Sequence, residues 1–235
     1  MTTLVPAARH RTMPHVFLLV ALLCSIAGAV DTLGYIRLGG VFVANLTGNT
    51  VLLAWHAEQR QWADAALRMG LILTYFAGVV TDHLMRRWIR ADRLRINPAV
   101  ASLMIEFFIL CTLAFLGVEG NLRVTLLLIL AWTMGLQNDA FQQIGPVNLN
   151  TTFLTGNIEK LGSILTTPVE GVKKERERRL QIGALIIAWT AYGTGAVVGA
   201  IGSHLFALRA LLLPAALVIP VLLLEIFGPR QRTGA

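Results

Sequence analysis

Charge is what this sequence has least of. Only 14% of its 235 residues are Asp, Glu, Lys or Arg, whereas 55% are hydrophobic. A soluble domain carries about 25% charged residues, and the mean hydropathy of this chain is +0.66. The composition therefore excludes an ordinary soluble domain and indicates an integral membrane protein.

Motifs that carry enzymatic or metal chemistry are also missing. The two cysteines, Cys24 and Cys111, lie in apolar runs without a neighbouring Cys or His at metal-ligand spacing, so both are interpreted as small core residues. The five histidines are scattered, and the sequence has no G-x-S-x-G, P-loop or C-x-x-C motif. We therefore predict no catalytic residues, no metal, no cofactor and no enzymatic activity.

The positive charge that remains follows the apolar runs. Lys and Arg number 20 against 13 Asp and Glu, and 17 of the 20 are arginine. The arginines cluster at the ends of apolar runs, where the positive-inside rule accounts for them. The expected partner of these residues is the lipid bilayer, and nucleic acid is not expected.

The N-terminus allows two interpretations. Arg9 and Arg11, the apolar stretch 16–23 and the Ala-Gly-Ala at 27–29 resemble a signal peptide with its cleavage site. Apolar spans continue along the whole chain, however, and residues 31–40 have a counterpart in the second half. We therefore favour a retained first helix.

Six apolar runs are candidate transmembrane helices, since a crossing needs about 20 residues. They are residues 16–36, 65–80, 99–118, 124–144, 182–201 and 205–227. Two further runs, 41–57 and 147–165, are interrupted by Asn, Thr and Gly, and each contains the tetrapeptide Leu-Thr-Gly-Asn (LTGN). Whether these two LTGN segments cross the bilayer decides the topology.

Four basic stretches constrain the answer: the N-terminus, residues 83–95, residues 173–179 and the C-terminus. All four lie in the cytoplasm only if six helices cross and neither LTGN segment does. The sequence thus predicts two re-entrant segments, with both termini in the cytoplasm.

The two halves of the chain have the same order of features. Aligning residues 38–40 with 144–146 pairs Asp31 with Gln137, and each half reads helix, LTGN, helix, helix, with Tyr-x-x-Gly in the helix after LTGN. Three crossings per half give the halves opposite orientations. We predict an all-α polytopic membrane protein with six transmembrane helices in an inverted 3+3 repeat, the repeats being residues 1–120 and 121–235 of one membrane domain.

Inverted repeats with broken helices place binding sites of transporters near the bilayer midplane. Gly48 and Gly156 allow close backbone approach or positive φ, and a half-helix after each LTGN aims its N-terminal dipole at the bilayer centre. The predicted solute-binding residues are Asn45, Thr47, Gly48, Asn49, Thr152, Thr155, Gly156 and Asn157. The alternative for any one of them is that its side chain only caps a half-helix or holds its loop.

Three acidic residues within or beside apolar runs are predicted coupling groups. Asp31 either carries a proton or cation, pairs with Arg37, or lies near the headgroups. Glu106 lies nine residues into its run and is expected to be functional or paired with Asp31 or an arginine. Asp139, beside Gln137 and Asn138, is either part of a functional cluster or interfacial.

The stretch LGG-x-x-x-x-NLTGNTV at 38–51, after a first helix that contains Asp31, resembles the YoaK-like family of bacterial inner-membrane proteins. The resemblance extends from about residue 16 to 227. It implies a six-helix fold in the bacterial inner membrane and carries no functional role for individual residues, because the family's function is unknown.

Two functions remain open at this point. The first is a transporter or channel for a small polar or anionic solute. The second is a non-transporting membrane scaffold or sensor whose LTGN loops are structural and whose basic loops bind anionic lipid or a cytoplasmic partner. A chain of 235 residues is small for a complete transporter, which makes a homodimer a candidate assembly.

Overall fold

The computed structural model describes residues 13–91, 97–116, 122–152, 154–168 and 171–227. Eight α-helices make up most of the described chain. They are α1 (Met13–Arg37), α2 (Leu46–Glu58), α3 (Trp62–Ala91), α4 (Pro98–Leu116), α5 (Leu122–Ala140), α6 (Leu154–Thr166), α7 (Val172–Phe206) and α8 (Leu212–Phe227). A two-residue hairpin, β1 (Gln143–Ile144) and β2 (Val147–Asn148), lies between α5 and α6, and a 3-10 turn (Ala207–Leu211) joins α7 to α8.

Glycine and proline mark several of the helix ends. After α1 the chain turns at Gly39 and Gly40, whose φ values are 103° and 70°, a region that favours glycine. The β1–β2 hairpin turns at Gly145 with φ 62°. Pro98 opens α4, where its missing N–H costs nothing, and the Asn97 side chain accepts the N–H of Ala99 at 3.3 Å.

The contacts give the relative directions of the long helices. Arg123, near the start of α5, packs on Gly39 just after α1, and Gln137 Nε2, near the end of α5, donates to the Leu23 carbonyl at 3.0 Å. Helices α1 and α5 are therefore antiparallel. By contrast α1 and α7 are parallel, because Ser25 donates to the carbonyl of Ala191 at 3.1 Å and Arg37 donates to that of Ser203.

Glycines bring the backbones of two helix pairs into contact. In α1 against α7, a Cβ on Gly28 would overlap the carbonyl of Tyr192, and one on Gly195 would overlap that of Ser25. In α3 against α5, a Cβ on Gly78 would overlap the carbonyl of Trp132, and one on Gly135 would overlap that of Tyr75. These crossings are of the small-residue type that is common between membrane helices. In α7, Gly195 and Gly199 thus pack against α1, while a Cβ on Gly193 would meet no atom within 4 Å.

Helices α4 and α8 complete the bundle and pack on each other. The Asn97 side chain, at the start of α4, donates to Glu225 Oε2, near the end of α8, at 3.1 Å. Because α4 also packs on the 3-10 turn that precedes α8, the two helices are antiparallel. The core runs through the bundle and is almost wholly Leu, Val, Ile and Ala.

Four helical stretches among the described residues are long and apolar enough to cross a bilayer. They are Met13–Arg37, Trp62–Ile89, Pro98–Leu116 and Lys174–Phe227, the last of 54 residues. The predicted runs 182–201 and 205–227 both fall within the last stretch. Helix α5 is not among the four, since Arg123 and the Gln-Asn-Asp at 137–139 lower its mean hydropathy. The count of six crossings stays a prediction.

Some predictions concern residues outside the described ranges. Arg9 and Arg11 of the possible signal peptide, the basic residues at 93–95 and those at 230–232 all lie there.

Candidate functional site

Both LTGN tetrapeptides form the first turn of a 13-residue helix. Helix α2 begins at Leu46 and α6 at Leu154, so Gly48 and Gly156 have helical backbones rather than the positive φ considered from sequence. The alternative of close approach holds at Gly48, where a Cβ would lie 3.0 Å from the ring of Phe42. Each LTGN helix therefore starts directly after an irregular loop.

The last residue of each LTGN fastens its helix to that loop. Asn49 Oδ1 accepts the N–H of Phe42 at 3.1 Å, and its Nδ2 donates to the carbonyl of the same residue. Asn157 makes the same two bonds to Asn150: its Oδ1 accepts the N–H at 3.1 Å, and its Nδ2 donates to the carbonyl at 2.7 Å. Both asparagines are buried. Their amides are thus engaged by the residue seven positions earlier, which matches the loop-holding alternative.

Asp31 fixes the first loop from the other side. Its Oδ1 accepts the N–H groups of Val43 and Ala44, both at 2.7 Å, and its Oδ2 accepts that of Asn45 at 3.0 Å. The hydroxyl of Tyr192 in α7 donates to the same oxygen. Asp31 is 2% exposed. Of the alternatives for Asp31, pairing with Arg37 is not found: the partners of the carboxylate are these four donors, and Arg37 donates to the carbonyl of Ser203.

The second loop has a corresponding attachment without the charge. Thr151 donates to Asn138 Oδ1 at 3.4 Å, and the hydroxyl of Thr152 lies 2.8 Å from that of Tyr75 in α3. Asn138 thus stands where Asp31 stands in the first half. This also places Asp31 opposite Asn138 rather than Gln137, in agreement with the matching contacts of Gly28 and Gly135.

The two tyrosines are the site residues that sequence reasoning missed. Tyr75 follows the start of α3 by 13 residues, and Tyr192 follows the start of α7 by 20, so both lie in the middle of long helices. Tyr192 donates to Asp31, and the hydroxyl of Tyr75 bonds to that of Thr152. The signal that points to them is the Tyr-x-x-Gly motif in each half, which was interpreted only as part of the repeat.

The remaining predicted binding residues are more open. Asn45 is half-buried at the start of α2, makes no side-chain capping bond to that helix, and accepts the hydroxyl of Thr47 at 2.9 Å. Thr47 and Thr155 are exposed at the second position of their helices. The two short helices do not come together in one pair, because α2 packs on α3 and α6 packs on α7.

Glu106 is the most isolated acidic group. It is 1% exposed, and among the described residues neither of its carboxylate oxygens has a hydrogen-bond partner. The expected pairing with Asp31 or an arginine is not found. The prediction from sequence that it lies deep in its helix is met by its position on the buried face of α4.

Asp139 belongs to a polar cluster at the ends of α3 and α5 and the start of α4. Arg86 donates through Nε to Asp82, and its NH2 group donates to the carbonyl of Asp139 and lies 3.8 Å from its carboxylate. Ser102 of α4 donates to the other oxygen of Asp82, which is fully buried. Gln142 donates to the Asp139 carboxylate at 3.2 Å.

Comparison with known proteins defines the family. A family model described as a protein of unknown function (DUF1275) matches residues 19–224. The chain belongs to this family. It is 30% identical over 209 residues to the UPF0700 transmembrane protein YoaK of Bacillus subtilis (strain 168), a match that covers 87% of this chain and 92% of that protein. No solved structure matches.

The description of YoaK as a transmembrane protein agrees with the long apolar helices of this chain. YoaK is described as a transmembrane protein, and the four candidate stretches have mean hydropathies of 1.4 to 2.5. The chain is therefore a multi-pass, mostly helical membrane protein, and the resemblance to the YoaK-like family is confirmed.

One cleft adjoins the second LTGN helix. It lies between α6 and α7, has a cavity volume of about 150 Å³, and is lined by Asn157, Ile158, Leu161, Leu185, Ile186 and Trp189. Sites for drug-sized ligands have volumes of about 300–1,000 Å³. This cleft is smaller and almost wholly apolar, so it offers no binding site for a polar solute.

Proposed function

We propose that this protein is a transporter or channel for a small polar or anionic solute, built as an inverted 3+3 repeat of six transmembrane helices with two re-entrant LTGN segments. One observation carries the proposal: both irregular loops are attached to a tyrosine in the middle of a long helix. The first loop is attached through Asp31 to Tyr192, and the second through Thr152 to Tyr75. Irregular backbone at membrane depth is tolerated only where protein buries it or where it lines a wet cavity.

The helix directions support the inverted arrangement. Helix α1 is antiparallel to α5 and parallel to α7. Helix α3 is parallel to α5, since Gly70 packs near Leu128 and Arg86 reaches Asp139. Helices α1 and α3 thus run in opposite directions, and the chain between them begins and ends at the same face. Helix α2, with 13 residues, is about 20 Å long, against about 30 Å for the hydrocarbon core.

The chemistry of the two helix starts indicates the solute. The first turns of α2 and α6 place the exposed hydroxyls of Thr47 and Thr155 beside the backbone N–H groups that a helix start leaves without partners inside the helix. Such helix ends favour an anion or a carbonyl oxygen. The engaged amides of Asn49 and Asn157 hold the helices at this position and do not face the solute.

The proposal is tested by swelling of liposomes that contain the purified protein, followed by stopped-flow light scattering with formate, nitrate, glycerol and urea as probes. We expect at least one probe to enter faster than in protein-free liposomes. Thr47→Val with Thr155→Val should slow that flux about tenfold, the effect of losing one or two hydrogen bonds in the rate-limiting complex. The matched control is Thr50→Val with Thr166→Val, which removes exposed hydroxyls of the same helices that bond only within them.

Equal swelling with and without the protein for all four probes would refute the proposal. If the probe enters as fast with Thr47→Val and Thr155→Val as with the unmodified protein, transport stands but the LTGN segments do not line the pathway.

The alternative, a non-transporting scaffold or sensor, is favoured by the internal hydrogen bonds of Asn49 and Asn157. Its functional surface would be the exposed cations at the start of α7, Lys174, Arg176 and Arg179. On that alternative, phosphatidylglycerol should raise the melting temperature in detergent more than phosphatidylcholine does. Replacing the three cations by Gln should remove the difference.

A further inference from the structure

We propose that Glu106 binds and releases the proton that drives the proposed transport, and that the cluster of Ser102, Asp82, Arg86 and Asp139 connects it to the surface. This inference rests on the proposed function and adds the coupling ion to it. The evidence is the isolation of Glu106 and the polar chain that begins one helical turn away.

The surroundings of Glu106 suit a neutral carboxylic acid. Both oxygens are buried and, in the part of the chain that the structure describes, neither accepts or donates a hydrogen bond. An ionised carboxylate in such surroundings is strongly disfavoured unless it is paired. The other buried residues of α4 are Ser102, Leu103, Leu110, Leu113 and Ala114, of which only Ser102 is polar.

Among the described residues of the neighbouring elements, no charged side chain is hydrogen-bonded to Glu106. The titratable and charged side chains on the elements packed against α4 are Glu225 of α8, Arg209 of the 3-10 turn, Arg123 and Asp139 of α5, and Asp64, Arg68, Tyr75, Asp82, His83, Arg86 and Arg87 of α3. None of them donates a hydrogen bond to either carboxylate oxygen of Glu106.

A polar chain starts at Ser102, one helical turn from Glu106 and not hydrogen-bonded to it, and ends at the surface. Ser102 lies four residues before Glu106 and shares its face of α4. The Ser102 hydroxyl donates to Asp82, and Arg86 bridges Asp82 to Asp139. Asp139 in turn accepts from Gln142, which is exposed. The chain thus runs from a buried end near Glu106 to an open end at the ends of α3 and α5.

The proposed proton transfer between Glu106 and Asp82 takes place through the hydroxyl of Ser102. Release breaks the O–H bond of the Glu106 acid and leaves the electron pair on its carboxylate. The proton passes to the Ser102 hydroxyl, which gives its own proton to the Asp82 carboxylate, and uptake reverses both transfers. No electrons are exchanged with another reactant.

The first part of the test asks whether Glu106 holds a proton. Dicyclohexylcarbodiimide is an apolar reagent that modifies protonated carboxylic acids, so it is applied to the full-length protein in liposomes and followed by peptide mass spectrometry. We expect labelling of Glu106 that falls as pH rises. Asp31, equally buried but with four donors on its carboxylate, is the internal control and should stay unlabelled. An unlabelled Glu106 at acidic pH overturns the inference.

The second part asks whether that proton is coupled to the solute. A pH-sensitive dye inside the liposomes should report proton movement when a gradient of the transported probe is imposed. Glu106→Gln should abolish the pH change and keep solute exchange, and Ser102→Ala should slow the pH change several-fold while Glu106 remains labelled. Thr112→Ala, which removes an exposed hydroxyl of α4, is the control.

The outcomes separate the two proposals. Solute flux without a pH change in the unmodified protein, or a pH change that persists in Glu106→Gln, overturns the coupling and leaves the transporter intact. Absence of any solute flux overturns the transporter and the coupling with it, while the labelling still decides whether Glu106 binds a proton.

Discussion

The side-chain amide of Asn157 holds the backbone of Asn150 at both polar groups, accepting its N–H at 3.1 Å and donating to its carbonyl at 2.7 Å. The same pair of bonds joins Asn49 to Phe42. Both bonds span seven residues and connect the first turn of a short helix to the preceding loop. The recurrence of LTGN thus has a structural cause, since the asparagine at its end sets the position of each short helix.

The asparagine clamps should be equally important in the two halves. Replacing Asn49 or Asn157 by Ala removes two hydrogen bonds and leaves partly buried backbone groups unpaired, which should cost about 2–3 kcal/mol each. The measurement is the thermal unfolding of each purified variant in detergent. Thr50→Ala, on the exposed side of α2, serves as the control and should change little. Melting temperatures of both Asn variants within a degree of the control would contradict the clamp.

Helix crossings through glycine should not tolerate a methyl group. A Cβ on Gly28 would overlap the Tyr192 carbonyl, whereas Gly193 has no neighbouring atom within 4 Å. We expect Gly28→Ala to cost about 3 kcal/mol, at the upper end of overpacking effects, and to lower the yield of monodisperse protein. Gly193→Ala should be neutral or slightly stabilising because Ala is the better helix former. Size-exclusion profiles and melting curves of the two variants decide, and similar behaviour of both would refute the close crossing.

The bond between Asp31 and Tyr192 should be stronger than that between Tyr75 and Thr152. The first involves a carboxylate and the second two hydroxyls, and bonds to charged groups contribute about 1.5–3 kcal/mol against about 1 for neutral pairs. Double-mutant cycles with Asp31→Asn and Tyr192→Phe, and with Tyr75→Phe and Thr152→Val, measure both couplings. Tyr35→Phe, at an exposed tyrosine, is the control. Equal couplings in the two cycles would contradict this assignment of charge.

Arg86 should contribute more to the stability of the fold than the other arginines of its basic segment. It pairs with the fully buried Asp82, and removing one partner of a buried pair costs about 3–5 kcal/mol. Arg86→Gln should therefore lower the melting temperature strongly, while Arg87→Gln, at an exposed neighbour, should not. The double variant Asp82→Asn with Arg86→Gln should recover part of the loss, and a double variant less stable than Arg86→Gln would refute the pairing.

Much of the architecture followed from the sequence because hydropathy and arginine placement are strong signals in membrane proteins. The long helices, a short helix at each LTGN segment and the depth of Glu106 in its helix were predicted from such patterns. Each short helix begins at the Leu of LTGN, however, and not after its Asn as predicted. The sequence alignment placed Asp31 opposite Gln137, one residue from its structural counterpart Asn138. It was anchored in the loops after α1 and α5, which differ because only the second forms a hairpin.

The partners of the polar residues were harder to predict. Arg37, which is near in sequence, was one of the alternatives for Asp31, but the side chain that donates to its carboxylate is Tyr192, 161 residues away. Contacts of this kind depend on which helices pack together, and the crossing of α1 and α7 is set by glycines whose partners no single sequence reveals. The Tyr-x-x-Gly motif contains both the tyrosine that binds the loop and the glycine of the close helix crossing. The sequence does not show that the two act together.

The most direct test of the account is the sidedness of the loops that follow the two short helices. Cys24 and Cys111 are replaced by Ala, and single cysteines are placed at the exposed positions Gln61, between α2 and α3, and Thr167, between α6 and α7. An impermeant thiol reagent is then applied to intact cells. With six crossings in an inverted repeat, Gln61→Cys is labelled from outside and Thr167→Cys is labelled only after the cells are permeabilised. Labelling of both positions from the same side would contradict the inverted repeat and the opposed LTGN helices.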